Sequence, residues 1–195
     1  MTPRAARVVG LAGWSGAGKT TLLLKLIPEF QRRGLSVSTL KHAHHAFEID
    51  HPGKDSFEHR RAGAREVLIA SGRRWALVRE LREEPEPSLG TLLRRLSPVD
   101  LVVIEGFKAS AHPKLEVFRA ANQKPLLGSA APNIRSIASD TALPGASVPV
   151  VPLSEIAAIA DRLLAIAEPL PEVLAALEAA PAPARRARER RQGKP

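Results

Sequence analysis

One segment near the start of the sequence places three glycines, a lysine and a threonine at fixed spacing. The segment Gly13–Thr20 reads Gly-Trp-Ser-Gly-Ala-Gly-Lys-Thr and fits the pattern Gly-x4-Gly-Lys-Thr. The glycines let backbone amide groups turn toward phosphate oxygens, the lysine adds a positive charge, and the threonine hydroxyl can bind Mg²⁺. An apolar run precedes the segment and a helix-like run follows it, which is the context this motif requires. The pattern predicts a P-loop that binds a nucleoside triphosphate with magnesium.

A second candidate is Glu105, which directly follows the most apolar predicted strand, Asp100–Ile104. P-loop proteins need an acidic group at the end of a neighbouring strand, close to the magnesium ion or its water ligands. Gly106 follows and permits a close approach. The alternative is that Glu105 only begins a polar turn, and we favour the magnesium role because the preceding strand is so apolar.

Five of the six histidines fall in one polar segment. This segment contains His42, His44, His45, His51 and His59, with Glu48, Asp50, Asp55 and Glu58. One interpretation is nucleotide chemistry, in which Asp50 orients water or holds Mg²⁺ while Lys41 and His42 face the phosphates. A second is a solvated loop, and a third is a transition-metal site, since imidazole and carboxylate groups suit zinc and nickel.

Apolar periodicity and turn residues predict strands alternating with helices. The predicted strands are Arg7–Ala12, Ser36–Leu40, Glu66–Ala70, Trp75–Leu81, Asp100–Ile104, Leu115–Phe118, Arg135–Ala138 and Val148–Val151. The predicted helices are Thr20–Arg33, Ser56–Arg65, Leu89–Leu96, Ser154–Ala167 with Ser154 as its N-cap, and Leu170–Ala179. The third and fourth strands resemble a hairpin. This order predicts an α/β protein, a three-layer P-loop NTPase fold with a mainly parallel sheet and a β-hairpin insertion.

The composition predicts one folded domain and a basic tail. The 195 residues are 44% hydrophobic and 25% charged, without cysteine, so disulfides and thiol chemistry are excluded. More than half of the net charge of +9 lies in residues 185–195. We therefore expect a nucleotide-binding domain at 1–180 and a solvated tail at 181–195, without specific nucleic-acid binding; a weak contact with anionic surfaces is the alternative. No apolar run approaches the roughly 20 residues that span a bilayer, and no signal peptide is evident, so we expect a cytoplasmic protein.

Several motifs together resemble one known family. They are the P-loop, Thr39–His45 (Thr-Leu-Lys-His-Ala-His-His), Asp50–Ser56 (Asp-His-Pro-Gly-Lys-Asp-Ser), Arg61–Ala64 (Arg-Ala-Gly-Ala) and Val103–Lys108 (Val-Ile-Glu-Gly-Phe-Lys). From Val8 to about Ala167 the chain resembles the molybdopterin-guanine dinucleotide biosynthesis adapter family, MobB. The resemblance implies a GTP-binding homodimer with weak intrinsic GTPase activity. It also implies that the protein assists molybdenum cofactor guanylyltransferase, which attaches GMP to molybdopterin, with molybdopterin as a further partner.

The resemblance also assigns site residues. It implies that the phosphates are held by Gly13, Trp14, Ser15, Gly16, Ala17, Gly18, Lys19, Thr20 and Thr21. It implies that Thr20, Asp50 and Glu105 bind Mg²⁺, and that the adjoining pocket is lined by Lys41, His42, Lys54 and Asp55. Among these, we predict that Lys19 and Asp50 act on the reacting phosphate and water.

The guanine-reading motif of most GTPases, Asn-Lys-x-Asp, is absent, since Asn122-Gln-Lys-Pro does not match it. The base should lie near the carboxyl end of a late strand. Asp140 follows the strand predicted at Arg135–Ala138, and its carboxylate could accept the N1 and N2 protons of guanine. We therefore predict that Asp140 contacts the base.

Two other functions fit parts of the sequence. A P-loop small-molecule kinase would share the strand-loop-helix arrangement and would use an arginine-rich lid, for which the candidates are Arg60, Arg61, Arg73 and Arg74. A metallochaperone GTPase would load zinc or nickel through the histidines, and the double substitution His44→Ala with His45→Ala would abolish metal binding.

Overall fold

A computed structural model of the protein describes residues 6–43, 47, 49–128 and 131–180. These residues form two compact units, one made of residues up to 42 and from 89 onward, and one made of residues 43–88. In chain order the elements are β1 Arg7–Ala12, α1 Lys19–Arg32, β2 Val37–Lys41, α2 Asp55–Arg61, β3 Glu66–Ala70, β4 Trp75–Arg79, α3 Leu89–Leu93, β5 Leu101–Glu105, β6 Lys114–Phe118, a 3₁₀ helix Ala120–Asn122, β7 Ile134–Ser139, β8 Val150–Pro152, α4 Ile156–Ile166, β9 Glu168–Pro169 and α5 Leu170–Ala179.

The larger unit is built on a sheet in the order β2-β5-β1-β6-β7-β8. All neighbours along this path are parallel, and β9 alone pairs antiparallel with β1. The central strands β1 and β5 are buried along almost their whole length, as expected of strands covered on both faces. The predicted α/β fold with a mainly parallel sheet is confirmed.

Helices cover both faces of this sheet, which gives three layers. Alternate side chains of a strand point to opposite faces, so Val9 and Val103 pack in the core cluster of α1 and α4. Their neighbours Val8 and Val102 pack in the cluster of α3 and α5. The parallel order places the carboxyl ends of β1, β2 and β5 at one edge, where loop residues can meet.

The chain returns to its first strand near its last helix. Arg7 donates hydrogen bonds of 2.6 Å to the carbonyl oxygens of Leu164 and Ala167, at the end of α4. Strand β9 follows and pairs with Arg7 and Val8 at the start of β1. The β6 pairing begins only at Gly10, so β9 occupies the side of β1 that β6 leaves open.

The smaller unit contains α2 and a two-stranded antiparallel sheet of β3 and β4. The predicted hairpin is confirmed, and its register pairs Leu68 with Leu77 and Ala70 with Trp75. These four residues share one face of the hairpin. Leu68 and Trp75 are 62% and 69% exposed, so this face is both apolar and open within the unit.

Some local expectations were wrong. Helix α4 begins at Ile156, and Glu155 rather than Ser154 occupies the N-cap position, without a side-chain capping bond. Strand β9 was not predicted.

No helix of the described residues has the length and apolar character needed to cross a membrane.

Candidate functional site

The P-loop connects the buried strand β1 to helix α1. Its glycines adopt backbone conformations that other residues rarely adopt, with φ of +145° at Gly13, +80° at Gly16 and +86° at Gly18. A Cβ atom at Gly13 would also lie 2.6 Å from the Val117 carbonyl oxygen. The loop therefore requires glycine at these positions for its conformation and, at Gly13, also for its packing.

Three side chains from three elements meet beside this loop. Thr20, in the first turn of α1, donates a hydrogen bond of 2.9 Å from Oγ1 to Glu105 Oε1, at the end of β5. Lys41 ends the neighbouring strand β2, and its Nζ lies 4.0 Å from the same Glu105 oxygen. Glu105 is only 8% exposed. The structure therefore brings together the predicted magnesium residues Thr20 and Glu105, with Lys41 beside them.

These residues line an open cleft of about 420 Å³ along the P-loop. Its walls are formed by Ser15, Gly16, Gly18, Lys19, Thr20, Thr21, Lys41 and Glu105. Hydroxyl and carboxylate oxygens are ligands that Mg²⁺ prefers, and the cleft leaves room for phosphate oxygens to complete its coordination. The donor set of Thr20 and Glu105 therefore fits a magnesium ion.

The P-loop lysine is held against its own loop. Lys19 Nζ donates hydrogen bonds to the carbonyl oxygens of Gly13, at 3.1 Å, and Trp14, at 2.9 Å. Burial lowers the pKa of Lys19, and the positive charge of Lys108 lowers it further, against the opposing effect of Glu105. A phosphate group in the cleft would favour the charged form. Lys19 can therefore supply a positive charge directly to the anion.

Residues 119–125, which we call the 119–125 segment, lie against the outer side of the P-loop. Asn122 Nδ2 donates a hydrogen bond of 3.1 Å to the Ser15 carbonyl oxygen, and Arg119 Nε donates one of 3.2 Å to that of Ala17. Trp14 Nε1 donates to the Pro125 carbonyl oxygen at 2.7 Å. In the sequence this segment is notable only because Asn122-Gln-Lys-Pro does not match the guanine-reading motif, and no pattern there predicts these contacts.

Two residues that follow β5 also contact this region: Lys108 contacts Trp14 of the P-loop, and Phe107 contacts His42. The Lys108 ammonium group lies 4.9 Å from the centroid of the Trp14 ring, an arrangement typical of a cation–π contact. The ring of Phe107 lies 4.6 Å from that of His42. Sequence reasoning assigned no role to Lys108, although it belongs to the Glu-Gly-Phe-Lys motif.

Asp140 lies at the carboxyl end of β7, as predicted, but it already has a backbone partner. Its Oδ1 accepts a hydrogen bond of 2.9 Å from the Ala120 amide at the start of the 3₁₀ helix. The guanine contact predicted for Asp140 is not tested by this geometry and stays a prediction. The observed role is support of the segment that contacts the P-loop.

The predicted residues Asp50, Lys54 and Asp55 belong to the smaller unit. Asp50 is buried there and forms a bidentate pair with Arg60, which also bonds Glu80 at 2.5 Å. The hydrogen bonds from Arg60 hold the pKa of Asp50 below its usual range. Lys54 and Asp55 are exposed at the start of α2. The magnesium role predicted for Asp50 is not tested by this geometry and stays a prediction.

The histidine-rich segment is only partly described. His44, His45 and Glu48 lie outside the described residues. Within the described ranges, no group of three or more histidine, aspartate or glutamate side chains is arranged to hold a metal ion. The metallochaperone interpretation therefore has no support from the described part of the segment.

Comparison with known proteins links the chain to one family. The family model of molybdopterin guanine dinucleotide synthesis protein B (MobB) matches residues 8–140. The molybdopterin-guanine dinucleotide biosynthesis adapter protein of Escherichia coli K12 is 40% identical over 157 residues, which are 79% of this chain and 89% of that protein. The adapter protein of the same name from Haemophilus influenzae is 43% identical over 122 residues, 61% of this chain and 67% of that protein.

Solved structures share the fold. A crystal structure of molybdopterin-guanine biosynthesis protein B has a TM-score of 0.65 and 27% identity, and the match covers 81% of this chain and 98% of that one. Bacillus subtilis MobB also has a TM-score of 0.65, at 21% identity, over 83% of this chain and 98% of that one. At that identity, the second match supports the fold alone.

Proposed function

This chain belongs to the MobB family, and on that premise we propose that it is a GTP-binding adapter in the biosynthesis of molybdopterin guanine dinucleotide. The observation that carries the proposal is the cleft in which the P-loop, Thr20, Lys41 and Glu105 converge. An α/β sheet that exposes such a loop at the carboxyl end of a central strand is built to hold a phosphate chain. The names of the relatives, which refer to a guanine dinucleotide, favour GTP over ATP.

In this proposal the P-loop amides and Lys19 bind the phosphates, while Thr20 and Glu105 hold Mg²⁺ directly or through water. The metal, when bound, neutralises phosphate charge. We propose that the chain hydrolyses GTP slowly, and that Asp50, which pairs with Arg60 in the smaller unit, is the residue that orients water.

Thermal unfolding of the full chain with Mg²⁺ and either GTP or ATP tests the binding proposal. A ligand present at 100 times its Kd stabilises the native state by about 2.7 kcal/mol, so GTP should raise the Tm more than ATP at equal concentration. Chelation of Mg²⁺ should reduce the shift. Equal shifts by GTP and ATP would refute guanine selectivity, and no shift with either would refute nucleotide binding.

Two variants serve as controls for this experiment. Lys19→Ala removes the positive charge that faces the phosphates without removing core packing. Without nucleotide, this variant should have the same Tm as the parent chain, and GTP should no longer raise that Tm. Arg95→Ala also removes one positive charge, but Arg95 is exposed and precedes β5, at the opposite end of that strand from Glu105. It should therefore respond to GTP as the parent chain does.

We propose that the chain acts in the cytoplasm, that its partner is molybdenum cofactor guanylyltransferase, and that molybdopterin is a further ligand. A reconstituted reaction of that enzyme with molybdopterin, GTP and Mg²⁺ tests the role. Added chain should increase the yield of molybdopterin guanine dinucleotide, and Lys19→Ala should not. An unchanged yield with the parent chain, together with no co-sedimentation with the enzyme, would refute the adapter role.

We also propose a homodimer, for which the hairpin of the smaller unit is the candidate surface. Leu68, Trp75 and Leu77 lie on one face of the hairpin and are 62%, 69% and 40% exposed. An isolated two-stranded sheet is marginally stable in water. Pairing with the same face of a second copy would remove these side chains from solvent.

A further inference from the structure

The contacts between the 119–125 segment and the P-loop are made to carbonyl groups of the loop. Asn122 bonds the carbonyl oxygen of Ser15, and Arg119 bonds that of Ala17. A trans peptide is planar, and its carbonyl and amide groups point in opposite directions. The Ser15 carbonyl therefore sets the direction of the Gly16 amide, and the Ala17 carbonyl sets that of the Gly18 amide.

The 119–125 segment lies close to the Cα atoms of these two glycines. A Cβ atom at Gly16 would lie 3.0 Å from Asn122 Oδ1, and one at Gly18 would lie 3.0 Å from Arg119 Nε. Both distances are tighter than ordinary van der Waals contact. The two glycines therefore allow the 119–125 segment to lie directly on the outer side of the loop.

The segment itself is anchored from a third element. Asp140, at the end of β7, accepts the Ala120 amide proton with Oδ1. Ala120 begins the 3₁₀ helix that ends at Asn122. A continuous set of contacts thus runs from Asp140 through the 3₁₀ helix to Asn122 and the Ser15 carbonyl.

We infer that Asn122 and Arg119 are positioning residues that fix the P-loop amides for phosphate, and that Asp140 anchors them rather than reading the base. The inference rests on the proposed nucleotide binding and deepens it. It assigns phosphate affinity to residues that need not touch the ligand. It also makes this affinity depend on Asp140 through its hydrogen bond to Ala120, and not through its charge.

Isothermal titration of the full chain with tripolyphosphate, GTP and ATP, each with Mg²⁺ and well below the Tm, tests this inference. Tripolyphosphate has no base, so it reports on the P-loop alone. Loss of one supporting hydrogen bond should weaken binding by about fivefold. Asn122→Ala and Asp140→Ala should each weaken the binding of tripolyphosphate, GTP and ATP, and for each variant the factor should be the same for all three ligands. If only the charge of Asp140 mattered, Asp140→Ala would strengthen binding, because the substitution removes a negative charge near an anionic ligand.

Asp140→Asn separates the two roles of Asp140. Asparagine keeps the Oδ1 acceptor for the Ala120 amide but lacks the carboxylate that guanine would need, so this variant should bind all three ligands as the parent chain does. Gln123→Asn is a matched control in the same segment. Gln123 is exposed and has φ of +50°, a conformation that asparagine tolerates, so its binding should also be unchanged.

Other outcomes overturn the inference in distinguishable ways. If Asn122→Ala and Asp140→Ala bind tripolyphosphate as the parent chain does, the segment does not position the loop. If Asp140→Asn weakens the binding of GTP but not that of ATP or tripolyphosphate, Asp140 reads the base. If the parent chain binds none of the three ligands, the proposed nucleotide binding fails, and the inference fails with it. Circular dichroism of each variant shows that a loss of affinity is not a loss of fold.

Discussion

His112 is a fully buried histidine beside the strand that carries the P-loop. Both of its ring nitrogens lack a hydrogen-bond partner among the described residues. A Cβ atom at Gly10 of β1 would lie 2.3 Å from His112 Nε2, so the ring packs directly on that glycine. Burial, and then the charge of Lys114, lowers the pKa of His112 to about 3. The folded protein therefore holds this ring in its neutral form.

This residue should make stability depend on pH. The unfolded chain binds the proton near pH 6.5 and the folded chain only near pH 3, so stability rises with pH between these values. From about pH 7.5 to about pH 5, the free energy of unfolding should fall by about 2 kcal/mol through His112. Urea unfolding at the two pH values measures the change.

The substitution His112→Leu should remove most of this dependence, whatever its effect on stability at high pH. His59→Leu removes an exposed histidine from α2 and should keep the parent profile. If the His112→Leu variant loses as much stability as the parent chain over the same interval, the protonation of His112 is not the cause.

At the scale of elements, the hairpin β3–β4 is the least covered of the described strand pairs. Two of its five register pairs, Leu68 with Leu77 and Ala70 with Trp75, present apolar side chains on one open face. Exposed apolar strand faces are typical of surfaces that pair with another chain. This is the physical basis for the proposed homodimer.

The double substitution Leu68→Glu with Trp75→Glu should shift the protein from dimer to monomer, because like charges would face each other across the interface. Sedimentation velocity measures the change. Leu24→Glu is a matched control, since Leu24 is 67% exposed on α1, in the other unit. A monomeric parent chain, or a double variant that remains dimeric, would contradict the proposed interface.

Most elements could be predicted from the sequence because their signals are local. The apolar run of β5 indicates burial on both faces, and the turn Ser71–Arg74 between two alternating runs indicates a hairpin. Strand β9 has only two residues and ends in Pro169, so it shows no periodicity. Its position is set by pairing with β1, far away in the sequence.

The same distinction applies to the site. The P-loop and Glu105 are recognisable because each follows a strand of its own. The contacts of Arg119 and Asn122 join residues 102 and 107 positions apart in the sequence, and no short motif marks them. Asp140 was placed correctly at the end of β7, but its bond to Ala120 depends on the course of a loop that the sequence pattern does not determine.

At the scale of the whole molecule, the charge of the sequence is concentrated outside the described fold. Helix α5 ends at Ala179, whereas more than half of the net positive charge lies in residues 185–195. Val173 of α5 is fully buried in the core. The proposed domain boundary near residue 180 therefore keeps the packed part of this helix within the domain.

A chain that ends at Ala180 should keep the Tm and the GTP affinity of the full chain at moderate salt, because it retains every described residue of the core. At low salt it should bind anionic vesicles less strongly than the full chain, since surface charge attraction is screened as salt rises. A lower Tm in thermal unfolding would show that residues 181–195 take part in the fold.

The pairing of β9 with β1 also has a consequence for synthesis on the ribosome. The amino-terminal half of β1 receives its antiparallel neighbour only when residues 168 and 169 have been made, and Arg7 receives its carbonyl partners only with residues 164 and 167. We expect nascent chains that stop before residue 164 to present a P-loop on an incompletely bordered strand. Nucleotide binding should thus mature only after residues 164–169 have left the exit tunnel.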